Sequence, residues 1–233
     1  MYWKAASFIG KRMLSLIMLG LVCVSFKLLA QTKPYIIQRP VQWDVDRERL
    51  SLEYLLKRHG IHADTALIEP RIVVVHYTEN MSVNATFKTF NPVILPGRKD
   101  LQGASALNVS AQFIIGRDGS IYQLLGENQF ARHTIGLNYC AIGIENIGTL
   151  KNPLTAKQLQ ANARLIAYLR KKYAIEYVIG HHEYQAFNKT LWWKESNPTY
   201  MTKKRDPGDK FMHALRKKLG LPVELKIIPL PSQ

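Results

Sequence analysis

Apolar positions in this chain follow two rhythms. The first is a set of short unbroken runs: "IVVV" in "RIVVVHYT" (71–78), two segments of "SAQFIIGRDGSIYQLL" (110–125), "AIGIENIG" (141–148) and "YVIG" in "EYVIGHHEY" (176–184). Runs of this length, rich in Val and Ile, predict strands buried on both faces of a sheet. Within the second, Asp118-Gly119 lies between apolar segments and predicts a hairpin. The second rhythm is helical. "DRERLSLEYLLKRHG" (46–60) carries Leu50, Leu55 and Leu56 and stops at Gly60, and "TAKQLQANARLIAYLRKKY" (155–173) lines Leu159, Ala163, Ile166 and Leu169 along one face behind a Thr155 N-cap. "RDPGDKFMHALRKKLG" (205–220) reads as a helix with Asp206 as N-cap, Pro207 in the first turn and Gly220 past the end. "QTKPYIIQRPVQW" (31–43) reads as a proline-flanked connector, and "NPVILPGRKDLQGAS" (91–105) as a long loop. Strands alternating with helices predict an α/β fold: a single domain with a central mixed β-sheet flanked by helices. A length of 233 residues, 47% hydrophobic, suits one core and leaves little room for a second.

The first 30 residues change the picture of where that domain works. Lys4, Lys11 and Arg12 precede the apolar run "MLSLIMLGLVCVSF" (13–26), and Ala30 stands where a cleavage point is expected. That order predicts a signal peptide or, if uncut, an N-terminal membrane anchor, hence an exported protein of the periplasm or cell envelope. Of two cysteines, Cys23 lies in the leader, so Cys140 has no partner for an internal disulfide. The net charge of +15 favours polyanionic surroundings. The Lys and Arg are scattered and no recognition motif accompanies them, so nucleic acid is not the expected partner.

Three segment ends share an oddity, a metal-capable side chain where a small or apolar one would serve the fold. His76 closes one strand, His181 closes another, and Asp206 opens the last helix. Two His and one Asp make the three-ligand set of a catalytic zinc, with a fourth position for water. Each also has a plainer role: a strand-end hydrogen bond for His76, a turn for His181 with His182 as the functional neighbour, a helix cap for Asp206. Glu145, inside "AIGIENIG", is either expensive to bury without a cationic partner or faces solvent from an edge strand. Lys204 is either a member of the basic run "KKR" or an oxyanion stabiliser.

Taken together, "VVVHYT", the hairpin "SAQFIIGRDGSIYQL", "ARHTIG", "IGIEN", "IGHH" and "KRDPG" resemble the zinc-dependent N-acetylmuramoyl-L-alanine amidases related to peptidoglycan recognition proteins. The resemblance covers roughly residues 68 to 219. It implies an amidase-like fold over 68–220, preceded by a connector and helix (31–67) and followed by a tail (221–233). By that resemblance His76, His181 and Asp206 bind Zn2+, Glu145 handles the proton of the catalytic water, and Lys204 assists at the oxyanion. His133, Arg132, Asn138, Trp192 and Trp193 are the residues expected to meet substrate, the two tryptophans either stacking on it or packing the insert. The implied partner is peptidoglycan or its muropeptides, acted on by a monomer. A non-catalytic peptidoglycan receptor on the same fold is the alternative, expected to lose a ligand or the Glu. The chain departs from the family pattern in Arg132, which stands where an aromatic residue is usual. It departs again in the "EYQAFNKTLWWKESNPTYMTKK" insert, which separates His181 from Asp206.

Overall fold

A computed structural model describes residues 33–97 and 103–227; the leader lies outside these residues. In chain order the elements are strand β1 (Ile36–Gln38), helix α1 (Val45–His59), β2 (Ile72–Tyr77), α2 (Val83–Phe90), β3 (Phe113–Ile115), β4 (Ile121–Gln123), β5 (Ala141–Asn146), α3 (Ala156–Lys172), β6 (Tyr177–Gly180), a 3₁₀ turn (His181–Phe187) and α4 (Asp209–Leu219). The strands form one sheet in the order β1-β4-β3-β5-β2-β6. The β3–β4 hairpin is antiparallel, while β3–β5, β5–β2 and β2–β6 are parallel. The sheet is therefore mixed, as the pattern predicts. Among the described residues no helix is long and apolar enough to cross a membrane.

Alternation along the parallel strands divides the core into two layers. Val73, Val75, Ile142, Ile144 and Val178 face Leu165, Ile166 and Leu169 of α3 and Met212 and Leu215 of α4. On the other face Ile72, Val74, Ala141 and Ile179 meet Leu137, Tyr184 and Phe187. Local chemistry ends the helices where the sequence says it should. Asp44 caps α1, and Gly60, at φ 66°, supplies the left-handed turn that closes it. Thr155 and Gln158 form a reciprocal capping box on α3.

Three expectations are corrected and one element is added. The connector contains a strand, because β1 pairs in parallel with β4 at the sheet edge. The residues before the long loop hold α2, capped by Ser82. His181 does not end a strand but opens the 3₁₀ turn. The last helix begins two residues later than predicted, with Gly208 at the N-cap and Asp209 first, so Asp206 caps nothing.

Candidate metal centre

Register brings the predicted ligands to one end of the sheet. His76 pairs across from Glu145 on β5, and Val75 pairs with Gly180 on β6, so His181, the residue after Gly180, comes level with His76. His76 and Glu145 continue the face that Ile72, Val74 and Ala141 begin, because side chains two apart share a face. Asp206 comes from the loop before α4 and is held by its main chain: its carbonyl accepts from the His182 amide at 2.9 Å and faces His182 Nδ1 at 3.1 Å. His182 is thus a brace for Asp206 and points away from the cluster, its Nε2 lying 2.9 Å from Asp209 Oδ1.

Three ligand-type atoms converge. His76 Nδ1 lies 2.9 Å from His181 Nδ1, and Asp206 Oδ2 lies 3.1 Å from the His181 nitrogen and 3.3 Å from the His76 nitrogen. With zinc bonds of about 2.0–2.1 Å, neighbouring ligands of a tetrahedral ion stand about 3.3 Å apart, so this triangle has the size of one face of such a site. The three atoms are all acceptors in their metal-binding forms, and a cation is what such a convergence calls for. Glu145 supplies a second mark of fit: its Oε2 is buried without a hydrogen-bond partner, an expensive arrangement unless a cation or polarised water stands nearby.

The electrostatics agree. Burial raises the Glu145 carboxyl to about 7, against the lowering influence of His76 and Lys204. Burial, and then the neighbouring His76, lower His181 to about 4, leaving its imidazole neutral and able to ligate. Burial alone would raise Asp206, but the imidazoles of His181 and His76 beside it hold it well below the carboxylate range.

These residues open into a cleft of about 340 Å³ that also carries Tyr77, Thr78, Asn80, Thr86, Arg132, His133 and Lys204. Lys204, half-buried, lines it together with Glu145. Arg132 reaches the cleft but is buried, its guanidinium donating to the carbonyls of Ser105 at 3.1 Å and Leu107 at 2.6 Å and lying over the Tyr54 ring. Asn138 is also buried, and its Oδ1 accepts from the amides of His133 at 2.9 Å and Thr134 at 2.7 Å. Trp192 and Trp193 are not among the cleft residues. Trp192 meets Tyr177 edge-on, and Trp193 stacks with Tyr184 and covers Gly136. Sequence reasoning did not single out Asn80 or Thr86, and it weighed His182 only as the functional alternative to His181, not as a brace for Asp206. For the first two the available signal was the Ser82 cap that starts α2 after the strand that carries His76.

The chain matches the model of the N-acetylmuramoyl-L-alanine amidase family, Amidase_2, over residues 64–209, and it belongs to that family. Its relatives include a peptidoglycan-recognition protein of Drosophila melanogaster, 30% identical over 129 residues that span 52% of this chain and 68% of the relative. Among solved structures, the endolysin N-acetylmuramoyl-L-alanine amidase LysCS from Clostridium intestinale matches with a TM-score of 0.51 at 18% identity, over 82% of this chain and 99% of its own. A selenomethionine derivative of AmpD matches with a TM-score of 0.51 at 24% identity, over 79% of this chain and 93% of that one. At those identities the structural likeness speaks for the fold: a single domain with a mixed sheet flanked by helices, as in these amidases.

Proposed function

We propose that this protein is a zinc-dependent amidase that hydrolyses the amide joining the lactyl group of N-acetylmuramic acid to the L-alanine of the peptidoglycan stem peptide. The observation that carries the reading is the triangle of His76, His181 and Asp206 beside a buried Glu145 oxygen with no partner. His76, His181 and Asp206 are the residues that would hold the metal. Bound zinc supplies Lewis-acid polarisation of the carbonyl and acidifies water. Glu145, kept basic near neutrality by burial, removes the proton of the attacking water and returns it to the departing amine nitrogen. The C–N bond breaks, leaving a carboxylate on the lactyl group and a free L-alanine amine. Lys204 offers an ammonium to the oxyanion that forms between these steps.

The family membership and the recognition-protein relative support peptidoglycan or its muropeptides as substrate. They also keep a receptor reading in play, since the relative's name is that of a recognition protein. Retention of all three ligands and the Glu favours catalysis. We further propose export of the domain to the periplasm or envelope through residues 1–30. Purified sacculi incubated with the zinc-loaded protein test the reading, with products identified by mass spectrometry. Free stem peptides beginning in L-alanine, with glycan strands left uncut, are expected. Bound but chemically unchanged sacculi would point to the receptor, and cut glycan strands would overturn the bond assignment.

A further inference from the structure

His133 lines the cleft, yet neither ring nitrogen faces it unpartnered. Its Nε2 lies 3.1 Å from the Ala141 carbonyl oxygen, and its Nδ1 lies 3.1 Å from His76 Nε2 and 2.9 Å from Thr134 Oγ1. The two imidazoles meet edge to face, at 89°. A carbonyl oxygen only accepts, so the proton of the neutral His133 ring sits on Nε2 and its Nδ1 presents a lone pair. Two facing lone pairs would repel, so we assign the hydrogen to the His76 nitrogen, although the Thr134 hydroxyl also donates to the same lone pair; this leaves the other nitrogen of His76, Nδ1, bare. That bare nitrogen is the one 2.9 Å from His181 and 3.3 Å from Asp206.

The surroundings look built for this ring. A Cβ placed on Gly143 would lie 2.9 Å from Cδ2 and Cγ of His133, closer than real Cβ contacts come, so only a glycine at that step of β5 admits the imidazole. On the other side the buried Asn138 gathers the amides of residues 133 and 134 with one oxygen and fixes the main chain that carries it. "ARHTIG" and the glycine of "IGIEN" therefore meet behind the metal ligand, although they lie on separate segments.

We propose that His133 is a positioning residue for the metal centre: the relay from the Ala141 carbonyl through His133 to His76 fixes His76 in the tautomer whose Nδ1 is directed at the cation. This rests on the zinc reading above and assigns His133 to the protein side of the site rather than to a hydrogen bond with substrate. Partners of this kind typically contribute about 10- to 100-fold in metal affinity.

The test measures zinc affinity by competition with a chromogenic chelator, separately from any activity. His133→Ala should weaken zinc about 10- to 100-fold, and His133→Gln, whose amide can both donate to Ala141 and accept from His76, should recover most of it. Gly143→Ala, which crowds the ring, should behave like His133→Ala. Long-range 1H–15N spectra of the unmodified zinc-loaded protein give a readout independent of folding in the variants, with the His76 proton expected on Nε2. A His76 proton on Nδ1, or unchanged zinc affinity in His133→Ala, would overturn the relay while leaving the amidase reading intact. Failure of the unmodified protein to bind zinc would overturn both.

Discussion

His59 and His181 are both buried, and burial lowers both imidazoles to about 4, yet their surroundings differ in kind. His59 ends α1 and presses its Nδ1 on the carbonyl of Lys194, a donor–acceptor pair, while its Nε2 is buried without a partner and the Tyr54, Phe130 and Tyr139 rings surround it. With its neighbours it fastens the insert to the body: Arg58 pairs with Glu195, and the Ser196 amide donates to the Arg58 carbonyl at 2.9 Å. His181 instead faces a second imidazole and a carboxylate, acceptor against acceptor, at the wall of a cleft. Low basicity is common to both and marks burial. The convergence of lone pairs marks the site, and it is found at one of the two histidines.

The contrast breaks most sharply at Glu145. Glu145→Gln should lower turnover about a hundred- to ten-thousand-fold while zinc, assayed by metal analysis, stays bound, because the proposed role of the carboxylate is proton transfer and not ligation. Next in size, Asp206→Asn should weaken zinc by more than the about 10- to 100-fold typical of groups behind the ligands. Since α4 is capped by Gly208, no helix cap is lost, and circular dichroism of the metal-free variant should match the parent.

The His59 side of the comparison is tested by acid. Its folded pKa is depressed below the ordinary 6.5, so its contribution to stability is present above pH 6.5 and is lost as pH falls through about 4. That loss amounts to at most about 3 kcal/mol. In zinc-loaded protein, His59→Gln should flatten the stability profile over that window in denaturant titrations and leave zinc content unchanged. An unaltered profile would place the acid sensitivity elsewhere. The smallest effect is expected from Trp193→Leu, which thins the packing on Tyr184. It should lower the thermal midpoint by about 5 °C, for about 1–2 kcal/mol, with KM unmoved. A raised KM would bring the tryptophan back to substrate.

What could be read beforehand follows from how local each signal is. β2, β5, β6 and the hairpin announce themselves because a buried parallel strand must be apolar throughout. His76, Glu145 and His181 could be grouped because each interrupts such a run at its end, where parallel strands of equal register finish together. The edge strand at 36–38 was hidden by its three-residue length and flanking prolines, since its pairing with β4 is a property of the folded sheet. The helix at 83–90 does carry Val83, Phe87 and Phe90 at helical spacing, but over too few turns to stand out. Asp206 was assigned to the right cluster and to the wrong cap, because Asp-Pro-Gly-Asp offers two starting points and the left-handed Gly208, at φ 88°, selects the later one. The packing of Trp192 and Trp193, and the meeting of His133 with Gly143, depend on contacts between distant segments that no spacing encodes.

The central claim is that three side chains hold one zinc on which amide cleavage depends, and the most direct test is a titration. Protein stripped with chelator and dialysed is supplied with zinc in steps, and stem-peptide release from sacculi is measured at each. The account predicts no release without metal and a linear rise that breaks at one zinc per chain. Full release from the metal-free protein would contradict it.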